Sequence, residues 1–222
     1  MKDRLTVPEQ NVREYAHELA YRLAREQLAA ITDIEEQCRK SGASYLKPKK
    51  AIAIDYLNQA YHIGFPGGEV KPAGREEPAP IRDTILLLHY FIQAKGTPLS
   101  GKTITYKELH DGLNYYPTFA KRTIQPLVTF FGDAPEKLAA TAAPLGGKPA
   151  EYGDAAVTIA AFPRVPVSLV LWRGDKEFPP EGSILFDSTI ADYLTNDDIH
   201  TLCETIAWRL VRLLKTGGDT PG

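Results

Sequence analysis

Eight consecutive residues, Ile85-Leu86-Leu87-Leu88-His89-Tyr90-Phe91-Ile92, constrain this chain more than any other stretch. Pro80 before them suits the first turn of a helix and Gly96 after them suits its end. A helix over about 81–95 is therefore apolar almost all round, and such a helix has to be covered on every side. It is too short to cross a bilayer, which takes about 20 apolar residues. The expected place for it is the centre of a folded domain. The chain has 222 residues, and a chain of that size buries about 70% of its unfolded surface without help from a disulfide or a metal.

The flanking segments supply the cover. Residues 9–31 read as a first helix, with Val12, Tyr15, Ala16, Leu19 and Leu23 spaced for one buried face. Thr32 and Glu35 form a capping box for a short second helix that Gly42 ends. From Lys50 to Phe65 the period changes to two. Ile52, Ile54 and Tyr56, then Tyr61, Ile63 and Phe65, predict a hairpin that turns at Leu57-Asn58-Gln59. Residues 67–80 read as a loop. Thr105 with Glu108 starts a short helix closed by Gly112. Pro117 opens the next helix, which Pro126 kinks or divides before Gly132. Asp133 caps an alanine-rich helix that stops at Gly146-Gly147. Strands follow at 154–161, 167–172 and 183–186, and Thr195 with Asp198 starts a last helix that buries Ile199, Leu202, Cys203, Ile206, Leu210 and Leu214. Hairpin-length links predict an α+β fold. The 50–65 hairpin and the 154–172 strands share one antiparallel sheet, packed on the central apolar helix with the other helices around it. Residues 1–44 are a helical extension packed on the core, 45–216 a single domain and 217–222 a flexible tail.

Charge and cysteine content narrow the function. Lys plus Arg number 26 and Asp plus Glu 28, a net charge of −2, which excludes the basic excess of a dedicated nucleic-acid binder. The two cysteines, Cys38 and Cys203, form no CxxC pair and build no zinc or iron–sulfur site alone. The start, Met1-Lys2-Asp3-Arg4, is polar, and no apolar run reaches the length of a membrane span. A cytoplasmic protein with no membrane partner is expected. There is no P-loop, GxGxxG after a strand, HExxH or GxSxG.

Four groups of residues could carry chemistry. His89, alone in its apolar run, could be an axial ligand of a metal or a metallated tetrapyrrole, or a core histidine bonded at both nitrogens. The segment Trp172-Arg173-Gly174-Asp175-Lys176-Glu177-Phe178, with Asp187 further on, could bring three carboxylates together around a hard cation or for acid–base work. It could equally be a fixed turn whose carboxylates accept backbone N–H groups. Tyr115 and Tyr116, ahead of Arg122, could receive a planar ligand bearing a phosphate or carboxylate. Arg164, between Phe162-Pro163 and Val165-Pro166, is a charge in an apolar run that is paired inward or presented to a ligand. His17, His62, His110 and His200 have no sequence-local partner and are expected at the surface.

Several of these motifs together resemble the family known as domain of unknown function 3786. The resemblance rests on Ile85-Leu86-Leu87-Leu88-His89-Tyr90, Pro98-Leu99-Ser100-Gly101, Tyr115-Tyr116, Pro126-Leu127, Leu145-Gly146-Gly147, Gly153-Asp154 and Phe162-Pro163-Arg164-Val165-Pro166. It rests most on Leu171-Trp172 through Asp175, Glu177-Phe178-Pro179 and Ile184-Leu185-Phe186-Asp187. It covers roughly residues 45–214. Similar proteins occur in anaerobic bacteria and archaea, and some carry an iron–sulfur module of the type found in corrinoid iron–sulfur proteins. This chain has no such module, so an iron–sulfur or corrinoid protein is the partner the resemblance implies. It also has Lys176 where relatives often have an acid. The resemblance implies a cytoplasmic cofactor-binding or accessory protein of anaerobic one-carbon or corrinoid metabolism, more a binder than an enzyme. The cofactor would be a tetrapyrrole, a corrinoid before haem. His89 would be its metal ligand, Tyr115, Tyr116, Phe162 and Trp172 its aromatic walls, and Arg122 and Arg164 its anion contacts, with His89 and the 162–187 segment facing one cavity. The alternatives are a metal-assisted enzyme using Asp175, Glu177 and Asp187, and a ligand-free docking module for an iron–sulfur or corrinoid protein.

Overall fold

Helices and antiparallel hairpins alternate along the chain, whose computed structural model describes residues 9–217, with side chains from Glu14 onward. Helices α1 (Glu9–Ala29) and α2 (Ile34–Ser41) lead into strands β1 (Ser44–Leu46), β2 (Ala51–Tyr56), β3 (Gln59–Gly64) and β4 (Val70–Pro72). Helix α3 (Ile81–Gln93) follows, then β5 (Thr103–Thr105) and helices α4 (Gly112–Phe119), α5 (Gln125–Phe131) and α6 (Lys137–Ala142). Strands β6 (Lys148–Pro149), β7 (Ala155–Phe162), β8 (Val165–Trp172) and β9 (Glu181–Asp187) precede α7 (Asn196–Lys215). The fold is α+β, and every strand pairing is antiparallel. The expected tail lies outside the described residues after Gly217, as does the polar start at Met1–Arg4.

Helix α3 has the cover its composition demands. Asp83 to Leu88, Tyr90 and Phe91 are buried, under α1, α2 and α7. Its rings meet the sheets as well: Tyr90 stacks on Phe162 of β7 at 4.1 Å, and Phe162 stacks on Tyr56 of β2 at 4.9 Å.

The strands form two sheets, in the orders β1-β2-β3-β4 and β5-β9-β8-β7-β6, not the single sheet expected. A strand has two hydrogen-bonding edges. Short β1 and β6, which carry almost no pattern, take the second edges of β2 and β7. The two sheets meet where the Leu57 N–H donates to the Ala161 carbonyl at 3.0 Å. The first hairpin turns on two residues, Leu57 and Asn58, both at positive φ. That is the turn whose twist matches the strands. Strand β4 occupies part of the expected 67–80 loop, and the 162–166 link contracts to Pro163 and Arg164.

Helix boundaries followed local chemistry with some shifts. The Thr195–Asp198 and Thr105–Glu108 boxes are present. The second helix is capped by Asp33, not Thr32: its carboxylate accepts from the Glu36 N–H at 2.9 Å. Gly42 ends it at φ 73, where an added Cβ would lie 2.7 Å from Pro163. Asp133 does not cap α6, and Pro117 sits inside α4. Pro126 does divide its helix. It lacks the N–H that the Arg122 carbonyl would accept, and Ala120–Ile124 widen into a π turn.

The buried face of α1 is not the expected one. Tyr15 is 67% and Leu23 46% exposed, and the Val12 side chain lies outside the described residues. Ala24 and Leu28 point inward, with Tyr21 half-buried beside them. Two stripes on this helix have helical spacing, and the one holding Tyr21, Ala24 and Leu28 is the one turned inward, on a helix that lies against α3. Of the last helix's expected face, only Leu214 is less than fully buried. Both cysteines are buried, and burial pushes the Cys38 thiol up to about 11. An ion pair is largely inside the fold: the Arg209 guanidinium reaches Asp83 at 2.7 Å, with the Tyr56 hydroxyl donating to the same carboxylate at 3.2 Å.

Candidate functional site

The N-terminus of α7 builds a site from a helix cap. Asp198 is the third residue of that helix, and its Oδ2 accepts from the Thr195 hydroxyl at 2.6 Å. Its other oxygen, Oδ1, lies 2.7 Å from Nδ1 of His89, and the Gln93 side-chain amide donates to Oδ2 at 3.4 Å. Burial alone would raise the Asp198 carboxyl. The hydrogen bonds and charge of His89 and the Thr195 bonds outweigh it, and the group is held below its ordinary value. An ionised carboxylate accepts, so Nδ1 of His89 is the donor in this contact, which leaves Nε2 as the nitrogen free to meet a ligand. The His89 side chain is 27% exposed.

Asp198 also lines a cleft of about 570 Å³ between α1, α3, α7 and the π turn. Its floor is Ala20, Ile85 and Leu86, and its rim carries His17, Arg82, Arg122, Thr201 and Glu204. Arg82 pairs with Glu204 at 2.6 Å. Arg122 makes no hydrogen bond or ion pair with any described residue. His200, next along α7, is half-buried, with its Nε2 shielded from solvent and no hydrogen-bond partner among the described residues. Burial, with the charges of Arg122 and Arg82 against that of Glu204, lowers its pKa. No group of three metal-ligating side chains occurs among the described residues.

Arg122 lines the cleft, and His89 does not line it but reaches its edge through Asp198; the other expected site residues do not join them. No residue of the 162–187 segment lines the cleft, so the shared cavity is not present. Phe162 is 1% exposed and is core, not a wall. Arg164 sits in the β7–β8 turn, its backbone N–H donating to the Tyr90 hydroxyl at 3.1 Å. Trp172 ends β8 at the opposite end of that strand, about 23 Å away. Tyr115 is 61% exposed on α4, and the Tyr116 ring lies under the Lys107 ammonium at 4.2 Å.

The three carboxylates do not converge either. Asp175 and Glu177 precede β9 and Asp187 ends it, about 20 Å further along. Asp175 makes the fixed turn, accepting from the Glu177 and Phe178 N–H groups at 2.8 Å each. Glu177 is exposed. Asp187 clasps another loop, accepting from the Ser100, Gly101 and Thr189 backbones and from the Ser100 and Thr189 hydroxyls. Burial raises its carboxyl, and these bonds overcome that and hold it well below the usual range. A carboxyl lowered by folding stabilises fully above its unfolded pKa of about 3.9 and loses that contribution as pH falls toward the folded value. Asp187→Asn should therefore lower Tm clearly at pH 7 and by a smaller amount at pH 3, where part of the contribution is already gone, as calorimetry at the two pH values would show. Equal losses at both would contradict it.

Sequence reasoning missed Asp198 as anything but a cap, and passed over Arg82, Thr201 and Glu204. A signal was available: Asp198, Thr201 and Glu204 recur every three residues, on one face of α7. His17 and His200 were expected at the surface, yet one lines the cleft and the other is half-buried beside it.

A family model described as Domain of unknown function (DUF3786) matches residues 33–209. No curated protein and no solved structure matches the chain.

Proposed function

The chain belongs to the family described as Domain of unknown function (DUF3786), and from that premise we propose that it is a cofactor-binding accessory protein, with the helical cleft as its binding site. The cofactor class is a metallated tetrapyrrole, a corrinoid before haem, in anaerobic one-carbon metabolism. The observation that carries the reading is the His89–Asp198 pair. Metal-binding histidines almost always give their other ring N–H to a carboxylate or carbonyl, which orients the ring and raises its basicity. His89 has that partner at 2.7 Å, with Thr195 holding the carboxylate in turn. The cleft that adjoins the pair through Asp198, about 570 Å³ and within the usual range of small-molecule sites of about 300–1,000 Å³, supports the same reading. The aromatic walls first assigned have no part in it. When bound, the metal would supply the ligand-exchange chemistry; this chain would hold and orient it through Nε2 of His89.

The test is spectroscopic. Anaerobically purified protein, and protein titrated with hydroxocobalamin or haem, should show a shifted visible band. His89→Ala should abolish the shift, and Trp172→Ala should keep it. No shift with either compound, or the same shift in His89→Ala, would defeat the proposal.

A further inference from the structure

Helix α1 carries more apolar surface than the fold covers. Ala24 and Leu28 are buried, with Tyr21 half-buried beside them. Tyr15 and Leu23 are 67% and 46% exposed, with half-buried Leu19 between them. At about 100° per residue these three fall within about 80° of one another, on the side of the helix opposite Leu28. Large apolar side chains left together in water inside a polar rim mark a contact surface. The rim differs on its two sides. Glu18 and Arg22, both exposed, stand one turn apart on one side of the stripe, and exposed Ala16 and Gln27 stand on the other.

We infer that this face of α1 is the contact surface for a second copy of the chain, the two α1 helices lying antiparallel about a two-fold axis beside Leu19. A two-fold interface needs a patch that is complementary to itself, and this one is. Reversal about Leu19 sets Tyr15 of each copy against Leu23 of the other and Leu19 against Leu19. In an antiparallel pair each flank of a helix meets the same flank of its partner in reverse order, so Glu18 of each copy comes beside Arg22 of the other. A parallel pair would put both charges against Ala16 and Gln27, with no countercharge. A uniformly acidic or basic partner would set one of the two rim charges against its like, whereas a reversed copy answers both. The charges fix direction and register, and the apolar stripe supplies the attraction. A single helix pair lies at the small end of interfaces, below roughly 1,200 Å², so the dimer forms reversibly with concentration.

Sedimentation equilibrium of the full chain tests this. Monomer should dominate at about 10 µM and dimer at about 500 µM, as a small interface requires. Leu23→Gln acts at both ends of a two-fold contact and should weaken association by about tenfold or more. Its circular dichroism and Tm in dilute solution should match the parent's, since the side chain is 46% exposed in the single chain. Glu18→Arg and Arg22→Glu should each weaken self-association by setting like charges together. An equimolar mixture of those two variants should associate more tightly than either alone, a result that an ion pair within one helix could not give. A chain still monomeric at the highest concentration, as it would be if another protein were the cover, would overturn the inference. So would full association of Leu23→Gln, or a mixture no tighter than its components. The stripe and the cleft lie on different faces of α1, so this test and the tetrapyrrole titration fail separately.

Discussion

Phe162→Ala should lower the unfolding free energy by about 3–5 kcal/mol, the usual cost of removing a buried phenyl ring. In a chain of this length that is a fall in Tm of about 6–20 °C. The ring is 1% exposed and stacked between Tyr56 at 4.9 Å and Tyr90 at 4.1 Å. Tyr90 in turn is fixed at its hydroxyl, which donates to the Ser41 carbonyl at 2.7 Å and accepts from the Arg164 N–H at 3.1 Å. A cavity at Phe162 thus opens at the junction of β2, β7 and α3, where three rigid elements leave little room to collapse. Phe162→Leu should cost much less, because most of the volume stays. Urea unfolding of both variants decides the matter. If Phe162→Ala melted like the parent, the ring would be a ligand wall after all.

Arg209→Met should be comparably damaging, at about 3–5 kcal/mol, because it strands a charge. Asp83 is 6% exposed, and Arg209 is its cation at 2.7 Å. The Tyr56 hydroxyl at 3.2 Å is a weaker partner and cannot neutralise the carboxylate. The methionine keeps most of the arginine's apolar stem, so the loss reports the charge more than the packing. A second substitution separates the two. Asp83→Asn combined with Arg209→Met removes both charges and should recover most of the stability. A double variant no more stable than Arg209→Met alone would mean that packing, not the unpaired carboxylate, carried the effect.

Much of this architecture can be read directly from local pattern. The all-round apolar run from Ile85 to Ile92 required a covered helix, since no single face of it could be left in water. The period-two stretch around Ile52, Ile54, Tyr61 and Ile63 required a hairpin with one buried face. Thr195 with Asp198 marked the start of α7, because a hydroxyl and a carboxylate three residues apart satisfy orphan backbone donors on their own. Asp175 was legible as a turn former for the same reason: its partners are its next neighbours in the chain.

Tertiary structure decided whatever depended on residues far apart in sequence. Whether two hairpins share a sheet turns on what fills their second edges, and β1 and β6 are too short to carry a pattern. Which stripe of α1 is buried was settled by the surface α3 offers it, since both stripes have helical spacing. The neighbours of Phe162 and Trp172 followed from strand direction, which sets Phe162 of β7 beside the start of β8 and Trp172 at its far end. His89 acquired its partner in the same way. Its own helix contains nothing to orient the ring, and the carboxylate that does so arrives 109 residues later. Sequence determines contacts within a turn of helix or a tight loop, where chain geometry leaves few choices. Contacts such as His89–Asp198 are set only when the packed core brings distant helix ends to hydrogen-bonding distance.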